Sequence, residues 1–427
     1  SRGELAAVLG LPRPDGGGTL RTTLDAELQR TVFDAATEHL RAFDAVGAAA
    51  LCVVVADVAS GEILATASLN SGGPGRLDLS RQARSTGSTL KPFIYAAAFD
   101  AGLAAPSSVL ADEPMAWSGY APRNYDRQYR GTMLAGEALA LSRNVPALSL
   151  LASVGVGRAV SVMDAAGLRT VGREPDRYGL SLAIGGAEAT PLEVAEAMAT
   201  LARGGRHKPL RLLFDKEAAA EPGGFPILSS ASCQATMRAL ADRERTGRLA
   251  RESVGLEVAW KTGTSSGHRD AWCVAATPRR VVVVWMGEPG GRGMPQLSGV
   301  DAAAPLALRL MSLVDSGGEG FPRPTDLVPA RPPQQRPTAS LAIASPLDGD
   351  RVLVESDRCE RDQRVLLKAA WPGESGRTVW WFVNGESIGS GRVGEGLWWT
   401  PSPGRHQVRV VSEDGRWAVA TVTVERR

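Results

Sequence analysis

Ala83-Arg84-Ser85-Thr86-Gly87-Ser88-Thr89-Leu90-Lys91-Pro92-Phe93 is the stretch from which the rest of the chain can be read. It sets a serine three residues before a lysine. The spacing from Arg84 to Gly102 predicts a helix, so Ser88 and Lys91 share one face about one turn apart. A serine hydroxyl is a poor nucleophile until a base takes its proton. Lys91 can be that base only by losing its own proton, which a guanidinium cannot do. The chain writes arginine almost everywhere else: of 48 Lys+Arg, the lysines are Lys91, Lys208, Lys216, Lys261 and Lys368.

Two further motifs follow in order, Ser142-Arg143-Asn144 and Lys261-Thr262-Gly263-Thr264. Alone, a Ser-x-x-Lys is usually a surface pair, a Ser-x-Asn a helix cap and a Lys-Thr-Gly a turn. Together, in this order, they form the S-x-x-K, S-x-N, K-T-G set of serine acylation chemistry. Burial and the nearby Lys261 would lower the pKa of Lys91. A helix break at Ser142–Pro146 lets Ser142 and Asn144 project from a loop. Ser142 is placed to relay a proton and the Asn144 amide to bond a substrate peptide group. A strand ending in Lys261-Thr262-Gly263-Thr264 aligns an extended peptide along its edge. Lys261 and the hydroxyls of Thr262 and Thr264 offer a seat for a terminal carboxylate, and Gly263 keeps the edge uncrowded. The backbone N–H groups of Ser88 and Thr264 are the expected oxyanion donors.

Around these motifs the periodicities outline two domains. A helix capped by Thr22-Thr23-Leu24-Asp25 carries Leu28, Val32, Phe33, Ala36 and Leu40 at helical spacing. Ala48–Asp57 and Glu62–Ser68 read as a strand hairpin turning at Ser60-Gly61. Pro191–Arg203 is a helix, and Val258–Thr264, Ala271–Ala276 and Arg280–Gly287 are strands. Strands, then helices, then strands closing the sheet give an α/β (α+β) domain over residues 21–315 with a central antiparallel sheet. Residues 1–20 are a connector containing Asp15-Gly-Gly-Gly, and residues 316–340 a Pro-rich linker. Residues 341–427 hold six of the ten tryptophans, with alternating runs around Asn384-Gly385 and Asp414-Gly415. Those are hairpin signals, so the C-terminal domain reads as an all-β sandwich. Trp380-Trp381 and Trp398-Trp399 are adjacent pairs; one of each pair should be core, and the outward ones read first as ordinary exposed aromatics of a packed sandwich, with a glycan- or protein-binding face as the alternative.

The composition narrows the function. A formal net charge of +2 points to no nucleic-acid partner. No apolar run reaches the roughly 18 residues of a membrane span, and no signal-peptide pattern is read at the start. Cys52, Cys233, Cys273 and Cys359 lack metal spacing; Cys52 and Cys273 sit in apolar strand-like runs, so buried free thiols are the first reading and partial pairing the alternative. No metal or other cofactor is expected.

The quoted residues resemble the penicillin-binding protein transpeptidases. Ala83–Phe93 is similar to that family's nucleophile segment, Pro122-Arg123-Asn124-Tyr125-Asp126 with Gly131 to the segment before S-x-N, and Leu182–Leu192 to its Gly-rich segment. Lys261–Trp272 and the β domain opening at Ser345-Pro346-Leu347-Asp348-Gly349 are most like the C-terminal part of the bifunctional 1C type. Departures are Thr86, where the family often has proline, and Ser266 and His268, where aromatics are common. His268 is read as a solvated loop histidine. The resemblance implies a serine transpeptidase/β-lactamase-like fold and a D,D-transpeptidase. Ser88 would be acylated by D-Ala-D-Ala stem peptides and by β-lactam antibiotics. It further implies a site on the periplasmic face of the bacterial inner membrane, and other cell-wall synthesis proteins as candidate partners of the β domain. No glycosyltransferase domain or anchor is read in these residues, so glycan polymerisation is not expected. The alternatives are a penicillin-binding scaffold or sensor with little turnover, and a D,D-carboxypeptidase. A β-lactamase is disfavoured because none of Glu174, Glu188 and Glu193 stands in an E-x-x-x-N arrangement.

Overall fold

The structure, a computed structural model of the chain, describes all residues except 1–19, 44–46, 48–49, 71–72, 75–77, 116–122, 174–176, 215–223, 242–255, 319, 326–340, 355–362, 414 and 427. The N-terminal connector, most of the Pro-rich linker, Pro122, Glu174, Cys359 and Asp414 lie outside the described residues. Residues 109–133 and 143–146 group with 332–427 in one compact unit, and the remainder forms the other.

The first unit opens with α1 (Ala26–Ala42), whose N-cap Asp25 accepts the Glu27 and Leu28 N–H groups. β1 (Ala50–Asp57) is buried on both faces, as its unbroken apolar run requires. β2 (Ile63–Asn70) alternates buried and half-buried residues. β3 is the short Gly73–Pro74 and β4 is Arg84–Ser85. A 3₁₀ turn over Gly87–Leu90 leads into α2 (Lys91–Asp100), which is buried along nearly its whole length. β5 (Val109–Asp112) and all but the last residue of β6 (Gly131–Leu134) belong to the second unit, as does the first turn of α4 (Asn144–Val154); the first unit continues with α3 (Ala135–Ala140), the rest of α4, α5 (Val156–Ala165) and α6 (Arg169–Gly172). β7 (Glu188–Ala189) precedes α7 (Pro191–Ala202), which starts with a Thr190–Glu193 capping box and a proline in its first turn. β8 (Arg206–His207), β9 (Phe225–Pro226) and α8 (Ser230–Leu240) follow.

β10 (Ala259–Thr264), β11 (Asp270–Ala276) and β12 (Arg280–Gly287) close an antiparallel sheet of order β10-β11-β12-β1-β2-β3. A π-helical turn, Gly299–Ala303, runs into α9 (Ala304–Val314). α1 and α9 bury one face of the sheet through Val32, Ala36, Leu306 and Leu310. α7 packs on the sheet at β1, β11 and β12. The expected central antiparallel sheet is therefore present, with β10 at its open edge.

Two local expectations need correction. Arg84–Gly102 is not one helix: Gly87 has φ +54, which only glycine adopts readily, so the chain turns there and the α-helix begins at Lys91. The break in the next helical region is shorter than Ser142–Pro146. Ser142 has φ +58, and α4 restarts at Asn144 with Pro146 in its first turn, where a missing N–H costs nothing.

The second unit contains the C-terminal β-sandwich. β13 (Ala342–Ser345), β15 (Val365–Ala370) and β18 (Gly396–Trp399) form one sheet. β14 (Arg351–Val354), β16 (Thr378–Val383), β17 (Glu386–Arg392), β19 (Gly404–Ser412) and β20 (Trp417–Arg426) form the other, ordered β14-β20-β19-β16-β17. Asn384-Gly385 turns the β16–β17 hairpin, and β19 pairs antiparallel with β20. Leu367, Trp381, Trp399, Val408 and Val422 fill the space between the sheets.

Candidate active site

The nucleophile segment is held from two sides. β4 pairs with β7, the Thr86 N–H and hydroxyl both donate to the Ala187 carbonyl at 3.1 and 3.0 Å, and the Ser85 hydroxyl donates to Gly185 O at 3.1 Å. From the sheet, buried Trp272 donates its indole N–H to Ser85 O at 2.8 Å. In a 3₁₀ turn residues i and i+3 eclipse, so Ser88 and Lys91 stand over the same side, though not through the helical geometry expected.

Glycines let the segment lie directly on the strand edge. A Cβ on Gly87 would sit 2.6 Å from both the N and the O of Thr264, and one on Gly185 would sit 2.6 Å from Gly87 Cα. One on Gly263 would collide with the Thr86 carbonyl oxygen and the Thr89 hydroxyl. Since Ser265 N–H donates to Asp270 O, antiparallel alternation turns the N–H and C=O of Thr262 and Thr264 outward, to the open edge. The Thr264 amide thus lies beside Gly87.

Ser142 joins the two motif lysines. Lys91 Nζ donates to Ser142 O at 2.7 Å, and Lys261 Nζ donates to Ser142 Oγ at 2.7 Å and to Thr262 O at 2.6 Å. Lys91 and Lys261 are 1% and 0% exposed. Such burial is unusual for lysine, and it fits amines serving chemistry rather than solubility. The left-handed backbone at Ser142 presents carbonyl and hydroxyl to different amines.

Strand alternation divides the expected carboxylate seat. Lys261 and Gly263 share the face toward Ser142 and Thr86, whereas Thr262 and Thr264 face Gly299, whose N–H donates to Thr264 Oγ1 at 2.9 Å. Both threonines remain half-exposed. His268 is not a solvated loop residue: its half-buried ring Nδ1 bonds Leu297 O at 2.9 Å.

In the second unit, the middle residue of the second motif has a role that its position did not announce. Buried Arg143 donates Nε to Asp112 Oδ2 at 2.7 Å and Nη1 to Asp126 Oδ2 at 2.8 Å. Burial raises the Asp126 pKa, but the Arg143 hydrogen bond and charge, with the Gln128 N–H and Arg130, outweigh it and hold the carboxyl below its ordinary range. Asn124 donates to Asp112 Oδ1 at 2.7 Å and accepts the Asn144 N–H at 2.8 Å. Asn144 Nδ2 donates to Arg123 O at 2.7 Å. Only an x between Ser and Asn stood in the motif, so Arg143 was invisible to it. The signal for Asn124 and Asp126 was the Pro122–Asp126 segment.

Comparison with known proteins follows the same lines. Residues 51–312 match the penicillin binding protein transpeptidase domain, and residues 332–424 match the Penicillin-Binding Protein C-terminus Family. Penicillin-binding protein 1C of Escherichia coli (strain K12) is 32% identical over 305 residues, covering 71% of this chain and 39% of the relative. Penicillin-binding protein 1A of Neisseria gonorrhoeae is 30% identical over 273 residues, 57% of this chain and 33% of the relative. The chain thus spans well under half the length of these relatives. Among solved structures, the penicillin-binding protein PonA1 from Mycobacterium tuberculosis superposes with a TM-score of 0.64 at 21% identity, covering 78% of this chain and 95% of that one. The PonA1 complex with penicillin V gives 0.61 at 21% identity over 72% and 89%. At such identity the likeness speaks for the fold. The sheet with the serine turn at its edge and the β-sandwich carry the same assignment as the matched segments: this chain belongs to the penicillin-binding protein transpeptidase family.

Proposed function

We propose that the chain is a D,D-transpeptidase that acylates Ser88. In this reading Ser88 Oγ attacks the carbonyl of the penultimate D-alanine of a stem peptide. Lys91 takes the hydroxyl proton, because a buried amine sharing Ser142 with a second amine gives up its proton more readily. The N–H groups of Ser88 and Thr264 hold the oxyanion. Ser142 passes a proton to the departing D-alanine amine, which leaves as the ester forms. The Thr262 and Thr264 hydroxyls, on the face of the strand opposite Lys261, hold the terminal carboxylate, Lys261 adds its positive charge from behind the strand, and Gly263 admits the peptide backbone. Asn144, its Nδ2 committed to Arg123 O, turns its Oδ1 to a substrate N–H. An amine of a second stem then attacks the ester and frees Ser88. β-Lactams, as mimics of the D-Ala-D-Ala end, would stop at the acyl-enzyme. Such a substrate puts the site on the periplasmic face of the inner membrane; no single helix among the described residues is long and apolar enough to cross a membrane.

The observation that carries the reading is Ser142 accepting from both buried lysines. A surface pair, a cap and a turn would have no reason to converge. The test is intact-mass spectrometry of wild type and Ser88→Ala with a fluorescent penicillin, then with a D-Ala-D-Ala stem pentapeptide plus an amine acceptor. A stable one-to-one penicillin adduct absent from Ser88→Ala, with transfer of the peptide to the amine, is expected. Hydrolysis without transfer would make the chain a carboxypeptidase, and an adduct without peptide turnover would leave a penicillin-binding scaffold.

A further inference from the structure

The five-stranded sheet of the sandwich has an apolar outer face as well as an inner one. Trp380, Phe382 and Val411 lie on it, and Trp380 is only 8% exposed. Chain from far upstream, within the same unit, reaches this sheet at three places. Pro114 and Tyr129 lie 3.6 and 3.4 Å from a Cβ placed on Gly385, and Met115 lies 3.5 Å from one on Gly415. At the third, buried Arg409 donates to Pro114 O at 3.1 Å and forms an ion pair with Glu113. The Arg409 Cζ also lies 4.1 Å from the Trp417 ring centroid. Breaking the pair would strand the buried Arg409 charge, so residues 113–115 are tied to the sandwich by an ion pair and a backbone hydrogen bond.

Glu113 directly follows Asp112, whose carboxylate is 0% exposed and holds Arg143, Asn124 and the Arg130 N–H. Asn124 in turn holds the Asn144 N–H. From Arg409 to Asn144 there is one covalent step, Glu113 to Asp112, and otherwise only charge-assisted or amide hydrogen bonds. We propose that the C-terminal β-sandwich is a positioning element for the second motif. Arg409, through Glu113 and Asp112, is a positioning residue that sets the orientation of Asn144. The inference rests on the reading of Asn144 as a substrate contact. It gives the sandwich a task in the acylation step.

Spatial continuity alone does not demonstrate coupling, so the test is a double-mutant cycle in the full chain. Arg409→Ala, Glu113→Gln, Asn144→Ala and Arg409→Ala/Asn144→Ala are compared for the rate of Ser88 acylation by a fluorescent penicillin and by a stem pentapeptide. Hydrogen exchange is followed in residues 109–115, 123–133 and 143–146. Arg409→Ala and Glu113→Gln should each slow acylation about tenfold, a loss in keeping with sub-ångström misplacement. Arg409→Lys, which keeps the charge, should recover part of the rate. Once Asn144 is alanine, Arg409→Ala should cost less than about twofold more, because both act through one group. Exchange at 109–115, 123–133 and 143–146 should quicken in Arg409→Ala. Losses that multiply, or unchanged exchange, would overturn the proposal. If Arg409→Ala does not fold, Glu113→Gln and Arg409→Lys carry the same cycle. If wild type is never acylated, the transpeptidase reading fails, while the exchange comparison still decides the coupling.

Discussion

Gly87→Ala tests the close seating of the serine turn on the sheet edge. The new Cβ would lie 2.6 Å from the N and the O of Thr264. Both are backbone atoms of a strand, so no rotamer change relieves the clash. Restoring an ordinary van der Waals contact of about 3.4 Å requires the turn and the strand to part by about 0.8 Å. At φ +54 an alanine also carries about 1–2 kcal/mol of left-handed strain. With the overpacking cost of about 1–3 kcal/mol, the variant should lose about 2–5 kcal/mol of stability. The same displacement separates the Ser88 and Thr264 amides, and misplacement near 1 Å costs about 10²-fold in rate. The assay is the acylation rate with a fluorescent penicillin, read beside a chemical melt. Gly157→Ala in α5 is the control: nothing lies within 4 Å of its added Cβ, so it should acylate normally. A Gly87→Ala protein that acylates within about threefold of wild type at unchanged stability would refute the reasoning.

Other consequences follow from particular contacts. Burial raises the pKa of Asp315, but hydrogen bonds from Arg279 and Thr277 outweigh it and hold the folded value below the ordinary one. That stabilisation is therefore complete above the unfolded pKa near 3.9 and is lost as pH falls through the folded value. Asp315→Asn should cost about 1–3 kcal/mol at pH 7, and in urea melts the gap to wild type should close below about pH 4. Arg143→Ala strands the buried Asp112 carboxylate and should cost about 3–5 kcal/mol, read as a lowered denaturant midpoint. Burial pushes the Cys233 thiol up to about 12 and raises the Cys52 thiol further. Neither should react with Ellman's reagent at pH 8 until the protein unfolds; peptide mapping after alkylation checks this. Trp381→Ala should cost about 3–5 kcal/mol while Trp398→Ala, at a site 56% exposed, should stay within about 0.5 kcal/mol. Unchanged binding of Trp398→Ala to peptidoglycan sacculi would remove the idea of a glycan face there.

The sequence by itself determined what depends on short range. Runs such as Ala50–Asp57 and Arg280–Gly287 are strands because alternation or continuous apolar character leaves them no other way to bury their surface. The turn at Asn384-Gly385 and the Asp25 cap of α1 are local chemistry. The three motifs were legible because serine, lysine and asparagine at those spacings have few other uses in combination. Tertiary structure decided the rest. Whether Ser88 starts a helix or rides on a turn depended on Gly87 meeting Thr264, 177 residues away by sequence number. Strand alternation, not motif composition, put Lys261 and the two threonines on opposite faces of β10. One member of the Trp380-Trp381 pair was expected in the core, yet both are buried, Trp380 in the sandwich's outer cluster with Phe382 and Val411. Arg143 and Arg409 are two arginines among many in the sequence, and what sets them apart is a buried carboxylate brought to each by a distant segment. A window of ten or twenty residues records propensity and pattern. Which charges are desolvated together depends on contacts between segments far apart in the chain, and these form only once the backbone has closed on itself.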